Sequence, residues 1–137
     1  MGTWGTGPLD NDDAADWCAD LEDADAEDRI AMVREALLAV TEEDDYVDAD
    51  TACEAVAAAA VVASQLPGGH RIRSSHAPDF LRRGEGMPLS DDLPSLALRA
   101  LDRVEHDDSE WRQLWEEGSN LPKALAVLAD LRAALAG

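Results

Sequence analysis

Nine consecutive residues at 55–63, AVAAAAVVA, carry nothing polar and nothing larger than a valine. Alanine is the strongest helix former, so the run favours helix over strand. A helix that is apolar around its whole circumference must be covered on every side. It is far shorter than the roughly 20 residues that span a bilayer, so its cover has to be protein. The run therefore predicts a central helix over about residues 49–65, stopped by Pro67, Gly68 and Gly69. Neighbouring helices would pack closely against its methyl groups.

The remaining segments supply those neighbours. Ala14, Trp17, Cys18 and Leu21 recur at helical spacing and predict a short helix over about residues 12–21, with Asp10 or Asn11 as its cap. Ile30, Val33, Leu37 and Val40 make a stripe of period three and four over about residues 26–41, with Asp25 as cap. The acidic stretch EEDDYVDAD then connects to the central helix. Further on, Leu93, Leu96, Ala100, Leu101 and Val104 predict a helix over about residues 93–105. SEWRQLWEE predicts a short one with Ser109 as cap and Trp111, Leu114 and Trp115 as its apolar face. Leu121, Leu125, Leu128, Leu131 and Leu135 predict the last, over about residues 122–135. The expected fold is all-α. It is a single-domain irregular helical bundle of about five to six helices over residues 1–137, with a glycine-rich arm at 1–9 and a long basic loop at 67–90.

Charge is unevenly spread. The net formal charge is −19, and residues 1–66 hold 18 acids against 2 arginines. Such a surface repels nucleic acid and anionic membrane, and it attracts a basic protein partner. Asp12, Asp16 and Asp20 lie opposite the apolar face of the first predicted helix. With Trp4 they are the candidate partner-binding residues. The alternative for these acids is solubility alone.

No catalytic constellation is visible. There is no phosphate-binding glycine loop, no nucleophile elbow and no HExxH pair, so no catalytic residue is expected. DNDDAAD lacks the central glycine and distal glutamate of a calcium loop. His70, His76 and Asp79 lack the rigid frame and further ligand of a metal site. No metal and no cofactor are therefore expected. Cys18 and Cys53 form no CxxC pair and read as reduced, partly buried thiols of a cytoplasmic protein. The opening MGTWGT fits a myristoylation pattern, but the motif is short, and one acyl chain beside so many acids would anchor poorly.

The basic loop is the exception to the acidic composition. Residues 67–90 hold 4 arginines against 2 acids. Arg71, Arg73, Arg82 and Arg83 either pair with acids of the first two helices or hold an anionic ligand. In the second case, His70 or His76 is available for proton transfer, and the protein would be a small-molecule binder or minor enzyme. Trp4, set between Gly2, Gly5 and Gly7, reads as a plug. The glycines let the arm fold back and seat the indole over a gap between helices near Trp17.

The N-terminal stretch MGTWGTGPLDNDDAADW resembles the opening of the bacterial family catalogued as domain of unknown function 4259. The residues that carry the resemblance are Gly2, Trp4, Gly5, Gly7, Asn11, Asp12, Asp16 and Trp17. EAVAAAAVVA and DDSEWRQLWEE are similar to later parts of that family, and the arginine-rich loop is not matched. The resemblance implies a small, soluble, cytoplasmic bacterial protein. It implies no particular activity, and no site residue carries over from it. Two function classes are thus expected: an acidic, non-enzymatic interaction module, immunity- or adaptor-like, or a binder of an anionic small molecule at the 67–90 loop.

Overall fold

A computed structural model of the chain describes residues 12–43, 45–65, 92–106, 108–117 and 121–136. These residues form six helices: α1 (Asp12–Asp23), α2 (Ala26–Thr41), α3 (Ala49–Ser64), α4 (Leu93–Val104), α5 (Glu110–Glu117) and α6 (Leu121–Ala136). No strand occurs among them, only an isolated parallel bridge between Val47 and Ser109. The fold is an all-α irregular bundle. The expected glycine-rich arm and basic loop lie outside the described residues.

The alanine run sits where its composition requires. Ala52 and every residue from Ala55 to Ala63 are buried, and α3 packs against each of the other five helices. One continuous hydrophobic cluster joins all six helices around it. On α1, Ala14, Trp17, Cys18 and Leu21 are buried, as their spacing predicts. On α4, Leu93, Leu96, Ala100, Leu101 and Val104 are buried together with Ala97.

Some sequence expectations need correction. Ile30 is only partly buried, and the α2 core is Val33, Ala36, Leu37 and Val40. Leu121 and Leu125 are also partly buried, while α6 buries Ala124, Leu128, Leu131 and Leu135. Leu114 is 49% exposed. Only Trp111 of α5 is fully inside, and Trp115 meets it edge-on with ring centroids 6.3 Å apart. A single-turn difference on an eight-residue helix is enough to carry Leu114 past the edge of its neighbours. Two of the three expected side-chain caps also fail, and the third, Asp10 or Asn11, lies outside the described residues. Asp25 holds the N-cap position of α2 through its backbone, its carbonyl accepting from Asp28 and Arg29, and its carboxylate makes no cap bond. Ser109 is fully buried with its hydroxyl unpartnered; its N–H donates to the His106 carbonyl at 3.1 Å and its carbonyl accepts the Gln113 N–H at 3.2 Å, so it serves α5 through its backbone alone.

That bridge belongs to a seam joining two connectors. Val47 N–H donates to the Asp108 carbonyl at 2.9 Å, and the Val47 carbonyl accepts from Glu110 N–H at 2.9 Å. Arg103 on α4 crosses the seam, donating to the carbonyls of Glu43 and Asp45. Arg132 on α6 braces it from behind, at 2.5 Å from Glu105 and 2.7 Å from Asp102. Glu110 closes the seam: its carboxylate accepts the Ala49 N–H at 2.8 Å, capping the first turn of α3. Helix N-termini leave donors unpaired and carry partial positive charge, so a carboxylate there is doubly placed. Glu110→Ala is expected to cost about 1 kcal/mol, the usual loss for an N-cap. Urea denaturation reads it, and an unchanged midpoint would mean that water serves Ala49 equally well.

Candidate interaction surface

The outward face of α1 follows from its inward one. Burial of Ala14, Trp17, Cys18 and Leu21 fixes the rotation of the helix, so Asp16, Asp20 and Asp23 project into solvent. Asp12 begins the helix. The C-terminal end of α1 is fastened by Arg29, whose Nε donates to the Leu21 carbonyl at 3.1 Å and whose Nη2 donates to the Glu22 carbonyl at 3.0 Å. The Leu21 carbonyl also accepts the Ala24 N–H at 3.2 Å, so Arg29 adds a second donor at this helix end.

The second arginine of this region is committed elsewhere. Arg34 grips Asp92 with both Nη atoms, at 2.6 and 3.1 Å, tying α2 to the start of α4. The hydrogen bond to Asp92 raises the guanidinium above its ordinary value. None of the ion pairs among the described residues includes Asp16 or Asp20. These two carboxylates stand one helical turn apart, a like-charge spacing that costs a helix about 0.2–0.5 kcal/mol. The stripe therefore opposes folding slightly rather than supporting it.

The other candidates are not brought to this face. Trp4, Arg71, Arg73, Arg82, Arg83, His70 and His76 lie outside the described residues. Cys18 and Cys53 form no disulfide. Burial pushes the Cys18 thiol up to about 12, so it remains protonated and is a poor nucleophile at neutral pH. No cluster of three side chains suited to a metal ion occurs among the described residues.

Two exposed residues escaped sequence reasoning. Tyr46 is 42% exposed and, with Leu114, makes up the exposed large hydrophobic surface of the described residues. The one available signal for Tyr46 was an aromatic ring set alone inside EEDDYVDAD. Leu114 gave none, since its spacing from Trp111 is that of an inward residue.

Residues 2–126 match the family described as Domain of unknown function (DUF4259). The chain belongs to this family. The match begins ahead of α1, covers α1 to α5 and takes in the first turn of α6. It also runs across the 67–90 segment that the resemblance in sequence left unmatched. The matched span thus takes in α1, the alanine helix and both connectors of the seam. Leu128, Leu131 and Leu135, which complete the core from α6, lie beyond it. No curated protein and no solved structure matches the chain. Among the described residues, no helix is long and apolar enough to cross a membrane.

Proposed function

We propose that the protein is a non-enzymatic, acidic interaction module that docks a basic protein through the outward face of α1, as an immunity or adaptor protein does. The observation that carries this reading is the exposed pair Asp16 and Asp20, one turn apart, outside every ion pair among the described residues. The helix bearing them is held rigidly from below by Trp17 and Leu21 and at its end by Arg29. A fixed carboxylate row accelerates encounter with a cationic surface and sets its register. The reading places the protein in a bacterial cytoplasm, in keeping with two cysteines that form no disulfide.

The test is capture from a lysate of the source cells at low and at moderate salt, using a C-terminal tag. The expected result is one near-stoichiometric protein whose association slows by about tenfold when Asp16→Lys and Asp20→Lys are introduced, with a weaker salt dependence. Capture and salt dependence that ignore both substitutions would leave the stripe a solubilising feature and overturn the proposal.

A further inference from the structure

The two exposed residues Tyr46 and Leu114 are linked through Gln113. The Tyr46 hydroxyl donates to Gln113 Oε1 at 2.6 Å, and Leu114 follows directly on α5. Glu110, Gln113, Leu114 and Glu117 fall at i, i+3, i+4 and i+7 and so form a single stripe, whose Leu114 edge borders buried Trp111. The surroundings of the ring are acidic. Burial, then the carboxylates of Glu110, Asp48 and Glu117, raise the Tyr46 phenol above its ordinary value.

We propose that Tyr46 and the α5 stripe form a second docking surface, one that receives an arginine side chain from a basic protein segment. Size sets the first limit. Two half-exposed side chains make a seat for one long side chain, not for a partner helix. Charge sets the second: Glu110 and Glu117 lie on the same side of α5 as Gln113, the partner of Tyr46, and Asp48 lies two residues beyond Tyr46, so the charges nearby call for a cation. Shape sets the third. A guanidinium is flat, stacks on an aromatic face and forks onto carboxylates, while its aliphatic stem can lie along Leu114. The ring is held ready for this by its hydroxyl bond to Gln113 and by the backbone bridge of the next residue, Val47. The inference rests on the reading of a basic partner, but the surface is separate from the carboxylates of α1.

The probe is a capped Gly-Gly-Arg-Gly-Gly peptide, titrated at low salt into the full chain labelled with nitrogen-15. Its counterpart with citrulline, which keeps the shape and removes the charge, is the control. Saturable shifts are expected at the Leu114 backbone amide and the Gln113 side-chain amide with arginine and not with citrulline. Tyr46→Ala and Leu114→Ser should each weaken binding about two- to fivefold, the scale of a cation–π contact at an exposed site. Leu114 is half exposed, so Leu114→Ser keeps the test valid if the tyrosine variant disturbs the seam. Binding that persists in Asp16→Lys/Asp20→Lys supports this surface independently of the α1 reading. Equal shifts with citrulline, or shifts confined to α1 and indifferent to Leu114→Ser, would overturn it.

Discussion

Leu101→Ala is expected to destabilise the protein by about 3–5 kcal/mol, the upper part of the range for buried leucines. Leu101 is fully buried on α4, the helix that packs against α2, α3 and α6. The loss has two components: the transfer energy of the missing atoms and the cavity they leave. The second dominates where neighbours cannot move in. On the α3 side the core is built of alanines and short valines, buried from Ala55 to Ala63, which have almost no rotamer freedom with which to fill a void. Domain stabilities run to about 5–15 kcal/mol, so the variant should remain folded but with a much lower urea midpoint. The slope of the transition should be unchanged. A loss below about 1 kcal/mol would show that the alanine core collapses around the gap.

Alkaline pH is expected to remove a comparable amount through Cys18. The thiol rises from 9.0 to about 12 because burial penalises the thiolate. In the unfolded chain it ionises near its ordinary value, while in the folded protein it keeps its proton. Between these two values the folded state binds more protons than the unfolded state, so stability falls as pH rises. The contribution is whole below pH 9 and is lost progressively towards pH 12. The slope is about 1.4 kcal/mol per pH unit, or about 4 kcal/mol across the window. Tyr46 is raised in the same direction, so the wild type alone does not isolate the thiol. The difference in unfolding free energy between wild type and Cys18→Ala, followed from pH 7 to 11 under reducing conditions, does. A difference independent of pH would place water at Cys18 and overturn the expectation.

The bundle was legible because helices announce themselves within a few residues. Period three and four located α2 at its observed ends, and it assigned Trp17, Cys18 and Leu21 inward and Asp16 and Asp20 outward. The alanine run had to be central because no partial cover satisfies a helix that is apolar all round. The same logic misplaced Leu114. Periodicity says which residues share a face and says nothing of how far a neighbour extends over it. On a helix as short as α5, the bundle covers Trp111 and stops.

The seam was illegible for a different reason. Ser109 looked like a cap because serine accepts local donors well, yet its hydroxyl is buried without a partner, while its neighbours Asp108 and Glu110 make the backbone bonds to Val47. Glu110 caps a helix that begins 61 positions earlier, and Arg103 reaches back 60 positions to the Glu43 carbonyl. Tyr46 finds Gln113 across 67 positions. Any buried connector must satisfy its backbone groups, but many side chains in the chain could have done so. Local propensity and apolar spacing, written in residues three or four apart, determined the helices, most of their inward residues and the acidic outer stripe of α1. Only the tertiary structure decided which distant arginine, glutamate and tyrosine close the connectors and which hydrophobic residues are left uncovered, because those outcomes depend on what the packed helices bring face to face.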